Sequence, residues 1–244
     1  MPGYKDWIDA IDINVDYFSA FMKAWIAFNA WYNFSGEVPV GNDKACIEYI
    51  SSQTNRFKTY MMNLINAEDT DGSAYRENIA KLHGALLKAA ITTQEYIGVR
   101  QPVSFAKVAV KNANTLKRKD YYQYNYECSR AHGKTKTVVT VKTTGAIIFD
   151  FEQEGYDIDI LRQQSGFASL TVSQREKCEE CYRELTPYRN ISVLSTDQNI
   201  KQIGVYNFIN DVGKISEAII IILYMLRCCL AHGDISPDLS LIHI

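Results

Sequence analysis

The sequence predicts a mainly α-helical fold: a helical bundle built from the two ends of the chain, with a small α+β insertion carrying a β-hairpin between them. Three observations predict it. Long stretches at both ends repeat apolar residues every three or four positions, the period of an amphipathic helix. A central stretch alternates β-branched and polar residues, the period of a strand. No internal repeat, low-complexity tract or long linker separates them. The bundle is expected over 1–97 and 171–238, the insertion over 98–170.

Four long stretches carry the helical period. In the first, Phe18, Phe21/Met22, Trp25, Phe28/Asn29 and Tyr32 recur at helical steps, and Gly36 and Pro39 end the pattern. The second runs from about Asp43 through Ile47, Ile50, Phe57, Met61 and Leu64. A third starts near Ser73 and uses Tyr75, Ile79, Leu82, Leu86 and Ala90. The last covers roughly 197–232, with Gly204 and Gly213 as the points where it would break. A shorter helix is expected to open at Ser173-Gln-Arg-Glu176, a capping-box pattern, and to end before Pro187. The hairpin is read from Lys134–Lys142, the turn residues Thr143-Thr-Gly145, and Ala146–Phe151.

With 244 residues, 47% of them apolar, the chain can bury a substantial core, as one domain with an insertion or as two small domains. The net charge of −2 argues against a protein basic throughout. Residues 107–142 are different: Lys107, Lys111, Lys117, Arg118, Lys119, Arg130, Lys134, Lys136 and Lys142 face only Asp120 and Glu127, a net +7 that leaves −9 for the rest. A polyanion contact is therefore expected to be local to that segment. The N-terminus lacks the apolar core of a signal peptide, and the longest apolar run, 218–226, is too short for a bilayer that needs about 20 residues. Six cysteines without a framework pattern suit reduced thiols in a cytoplasm. Leu239–Ile244 is what CTG TCT CTT ATA CAC ATC encodes, which resembles the transposon end used in sequencing-library preparation. A non-native tail after Asp238 is the expectation, and His243 is set aside with it.

The ending of the last helix carries the chemistry. After the apolar Ala218–Leu226 come Arg227-Cys-Cys-Leu-Ala-His232-Gly233-Asp234. Arginine forks onto phosphate oxygens, while histidine trades protons near neutral pH, a pairing suited to RNA, whose 2′-hydroxyl can act as nucleophile. Five residues at about 100° each place the two side chains about 140° apart on an ideal helix. They can serve one phosphate only if the helix unwinds at its end or the site is composite. The plain alternative is an arginine snorkelling from a helix end and a histidine capping the last carbonyls.

Arg227-x4-His232 on a closing helix resembles the R-x4-6-H motif of the HEPN superfamily, and Phe21-Met-Lys-Ala-Trp-Ile-Ala-Phe-Asn-Ala-Trp-Tyr32 resembles the family's opening helix. The resemblance covers about 15–95 and 173–238. It implies a HEPN-like bundle and a metal-independent endoribonuclease of toxin or antiviral-defence biology. It also implies a homodimer in which two motifs face each other, RNA as substrate, and an antitoxin or defence partner. His232 would then be the general acid/base and Arg227 the phosphate clamp, with Asn29 and Asp234 supporting. No cofactor, metal or membrane is expected. The family often has Asn, Asp or His after the motif arginine; here Cys228 stands there. That departure sustains an alternative, a non-catalytic HEPN-like dimerisation or nucleic-acid-binding module.

Other residues have two readings each. Asn29 is a buried amide bonded to a neighbouring helix, or orients His232 if the first and last helices pack together. Lys117, Arg118, Lys119, Tyr122, Tyr124, Arg130, Lys134 and Lys136 form a basic, tyrosine-rich RNA-binding surface, or a solvated structural segment. Ser129-Arg-Ala-His132-Gly133 echoes the motif ahead of a strand and reads as RNA-contacting or structural. Cys178-Glu-Glu-Cys181 has zinc-knuckle spacing without a second pair nearby, and it fits the expected helix better. His83 reads as a core or boundary histidine.

Overall fold

The computed structural model describes residues 17–93 and 101–234. The supposed tail Leu239–Ile244, Asp238 and the N-terminal residues lie outside them. Among the described residues, 47% are helical and 25% are in strands, arranged in four antiparallel sheets. The expected mainly α bundle is therefore corrected to an α+β fold. The chain divides into two compact units, one formed by Met1–Val110 with Asn190–Ile244, the other by Lys111–Arg189.

The first unit contains helices α1 (Tyr17–Phe34), α2 (Asp43–Ser52), α3 (Arg56–Asn66), α4 (Thr70–Ala89) and, at its end, the long closing helix Val212–Ala231. The second expected helix is in fact two. Asn42 and Asn55 are N-caps whose side chains accept from the Ala45 and Lys58 amides, so Gln53–Asn55 ends one helix and starts another. Asp69 caps α4 in the same way, four residues before Ser73. The closing helix begins at Asp211, whose side chain accepts from the Lys214 amide at 3.0 Å. It is apolar nearly all round, and α2 and α3 pack against it. Ile47, Ile50, Ile65, Ile215 and Ala218 are fully buried there.

Short strands fill the rest of this unit: β1 (Thr92–Thr93) pairs with β2 (Gln101–Pro102), and a hairpin replaces the first half of the expected last helix. Ile200–Ile203 and Tyr206–Ile209 pair antiparallel around Gly204 and Val205. Gly204 has φ +60, and a Cβ there would meet the Ala80 Cβ at 2.6 Å. Glycine is needed both for the turn and for the close approach to α4. The expected last helix therefore begins only after this hairpin, and Gly204 marks its turn rather than a break in a helix.

The chain passes between the units within β3 (Val108–Lys111) and β8 (Tyr188–Ile191). The second unit holds a four-stranded sheet, β4 (Leu116–Tyr121), β5 (Tyr124–Ala131), β6 (Lys134–Val141) and β7 (Ile147–Glu154), in sequence order. The expected hairpin is present as β6–β7, and the basic stretch before it adds two more strands, their alternation masked by lysines and arginines. Helices α5 (Ile158–Arg162), α6 (Ser165–Ala168) and α7 (Val172–Arg183) follow, and α7 lies on the sheet. The capping box of α7 forms on Thr171 and Gln174, two residues ahead of the expected pair. Tyr126, Cys128, Val139, Phe149, Leu161, Phe167, Cys178, Cys181, Tyr182 and Leu185 make this unit's core. Because α7 belongs to that core, the insertion runs over 111–189 here, against the expected 98–170.

Candidate functional site: a polar cluster on the helical unit

Helix α1 is apolar along most of its length but places Asn29, Tyr32 and Asn33 one turn apart. Their partners are mutual and local. The Asn29 Nδ2 donates to the Tyr32 Oη at 2.6 Å and to the Asp43 Oδ1 at 3.3 Å. Tyr32 donates its hydroxyl to the same Oδ1 at 3.1 Å, and Asn33 donates to the Asn29 Oδ1 at 2.9 Å. Asp43 opens α2, where a carboxylate also meets the positive end of the helix dipole. Burial, then the neighbouring Asp43, pushes the Tyr32 phenol well above its ordinary range, so it acts as a fixed donor.

The closing helix completes the cluster. Arg227 sends Nη2 to the Asp43 Oδ2 at 3.5 Å, with 28% of its side chain exposed. Its Nε is buried without a hydrogen-bond partner. Tyr224, a turn earlier, lies 6.0 Å from the Trp25 ring, so the first and last helices meet at this point. Burial, then the Cys228 thiol, pushes the Tyr224 phenol up as well.

His232 stands apart. It is the C-cap of the helix, exposed, with its amide donating to the Cys228 carbonyl at 2.9 Å. Gly233 follows in the left-handed region at φ +71, donating to Leu230, and the Asp234 amide reaches the Cys229 carbonyl at 2.8 Å. These bonds form a Schellman ending, which fixes the backbone of the motif's last turn. The helix stays regular through Ala231. No unwinding therefore brings Arg227 and His232 onto a shared partner among the described residues. Asn29 is held by Tyr32 and Asp43 and does not orient His232. Burial, then the neighbouring Asp234, holds the Cys229 thiol up at about 12.

Sequence reasoning missed Asp43 and Tyr32 as members of this site. A signal was present: Asn29 and Tyr32 lie one turn apart on a largely apolar helix, and polar groups on such a face need polar partners when buried.

The basic stretch is arranged otherwise. Arg118 pairs with Glu127 directly across β4–β5 at 2.5 Å, and Lys119 with Glu180 of α7. Lys134 meets Glu152 at 3.1 Å and Glu154 at 3.3 Å, and Lys136 meets Asp150 at 3.4 Å. Arg130 donates to the Asn112 carbonyl at 2.9 Å. Lys117 is half-buried and forms no ion pair among the described residues. Over 111–189 thirteen Lys/Arg face eleven Asp/Glu, so the +7 of the shorter stretch falls to +2 for the folded unit. Tyr122 is 81% exposed at the β4–β5 turn, its ring edge-on to Tyr121 at 4.4 Å, while Tyr124 is half-buried and accepts from Gln123.

His132 and Gly133, with φ +50 and +78, are the two central residues of the tight β5–β6 turn. Cys178 and Cys181 sit in the core of the second unit, where burial pushes both thiols up, Cys181 to about 11. His83 is buried among Phe105, Tyr206 and Phe208, its Nδ1 unpartnered and its proton affinity lowered by that burial. Among the described residues no group of three or more His, Cys, Asp or Glu is placed to hold a metal ion, and no helix is long and apolar enough to cross a membrane. No known family model, curated protein or solved structure matches the chain.

Proposed function

We propose that this chain is a cytoplasmic, HEPN-type endoribonuclease that cuts RNA without a metal cofactor, acting as a homodimer in toxin or antiviral-defence biology. The observation that carries the reading is the state of Arg227. Among the described residues it is a half-buried guanidinium with one ion pair, a long one to Asp43, five residues before an exposed histidine. Such a group can still take a phosphate through two nitrogens at once. In this reading Arg227 grips the phosphoryl oxygens and offsets the charge that develops on them. His232, open to solvent on a rigid helix end, removes the 2′-hydroxyl proton or returns one to the leaving 5′-oxygen. Attack of the 2′-oxygen on phosphorus then breaks the bond to the 5′-oxygen, leaving a 2′,3′-cyclic phosphate and a 5′-hydroxyl. Because Arg227 and His232 share no partner among the described residues, the second copy would supply the complementary pair, as a twofold interface allows.

The test is incubation of the purified protein with single-stranded and transfer RNA in EDTA, beside His232→Ala and Arg227→Ala. Cyclic-phosphate fragments that disappear in both variants are expected; cutting that EDTA abolishes and Mg²⁺ restores would refute the mechanism. Sedimentation of the active protein as a strict monomer would remove the composite site.

A second reading has an observation of its own. Arg227 already faces a carboxylate, and Cys228, a weak hydrogen-bonding group, follows it. Both favour a non-catalytic HEPN-like module that dimerises or binds nucleic acid within a larger defence complex. RNA retention without cutting would decide for it.

A further inference from the structure

We propose that the Asp43 carboxylate is an internal competitor for the RNA phosphate, holding Arg227 in the resting protein and setting how strongly an anion must bind to displace it. The inference rests on the reading of Arg227 as the phosphate clamp. Among the described residues Asp43 is tethered through Oδ1, which accepts from Tyr32 at 3.1 Å and from Asn29 at 3.3 Å, both on α1. That leaves Oδ2 turned to Arg227 at 3.5 Å. A charge-assisted N–H···O bond is shorter, about 2.7–2.9 Å, so this contact neutralises the guanidinium without saturating it. The buried Nε has no hydrogen-bond partner among the described residues, so nothing else fixes the guanidinium.

A phosphate diester brings two unshared oxygens that match the guanidinium fork, whereas Asp43 offers one. The incoming anion also meets Asp43 as a like charge inside a half-buried site, where such repulsion is poorly screened. Affinity is therefore the difference between a better fit to Arg227 and the cost of crowding two anions. Asp43 thus discriminates against small or monodentate anions and favours a polyanion anchored elsewhere.

An orienting role for Asp43 predicts the opposite sign, since removing it would loosen Arg227 and weaken binding. The full-length protein carrying His232→Ala, so that nothing is cut, is titrated into fluorescein-labelled single-stranded RNA at fixed ionic strength. Adding Asp43→Asn is expected to tighten binding about fivefold, the scale of a partly exposed ion pair. Asp43→Ser, a residue tolerated in a helix first turn, is a second probe with the same expected direction. Combining either with Arg227→Ala should erase the gain. Unchanged or weaker binding by a variant whose melting curve is intact, or no RNA binding by any of these proteins, overturns the proposal. Cleavage is scored separately with His232 restored. Tighter binding without any cutting upholds the competitor and removes the nuclease reading. Cutting by the wild type together with weaker binding by Asp43→Asn does the reverse.

Discussion

The basic strands and the end of the closing helix treat positive charge in opposite ways. In the sheet unit, strand pairing sets several cations beside carboxylates: Arg118 opposite Glu127, Lys134 near Glu152 and Glu154, Lys136 near Asp150. In the helical unit, Arg227 has one contact at 3.5 Å and a buried nitrogen with no acceptor. The segment with the greater charge is thus the more nearly satisfied. Antiparallel register explains the difference, because it brings residues far apart in sequence within one side chain's reach. The end of the closing helix brings Arg227 one such neighbour among the described residues, Asp43.

The largest expected effect would sharpen this contrast: Arg227→Ala should lower RNA cleavage by about a thousandfold, the scale of losing a main oxyanion contact, measured as single-turnover rates. Next, replacing Arg118, Lys119, Lys134 and Lys136 together by glutamine should weaken RNA binding less than about threefold in moderate salt, since each already has a partner. A loss above about a hundredfold, the size expected for several true phosphate contacts, would break the comparison.

A third test concerns how each unit spends its buried polar groups. Tyr182, 1% exposed, accepts from Gln153 and from the Asp157 amide at 3.0 Å, and donates to the Asp157 carbonyl at 3.1 Å. Tyr182→Phe should cost the sheet unit about 1–3 kcal/mol in urea unfolding, because the Asp157 amide is left without its acceptor. The smallest effect is at His83 in the helical unit. Burial keeps it neutral in the native chain, while the unfolded chain protonates it near pH 6.5. Its share of stability is complete above that pH and is lost as pH falls toward the lower native value. His83→Phe should leave melting near neutral pH nearly unchanged and flatten the decline on acidification, followed by melting temperature against pH.

Part of the site was legible in sequence. Arg227, His232 and the Gly233 stop stand where the periodicity put them, and the Schellman bonds of Gly233 and Asp234 agree with the helix end expected there. Asn29 drew notice as a polar residue on an apolar face. Its partners did not, since Asp43 reads in sequence only as the start of a helix.

The sequence by itself determined the elements whose cause is local: the apolar closing helix and the β6–β7 hairpin. Such features depend on residues within a few positions of each other, and side-chain period or capping chemistry records them directly. Tertiary structure alone decided the rest. It showed that Ile200–Ile209 is a hairpin laid on α4, that the lysine-rich stretch is half of a sheet, and that Asp43 comes to Arg227 from 184 positions away. The reason is that charges and turns of this kind acquire their partners only when distant segments are packed together.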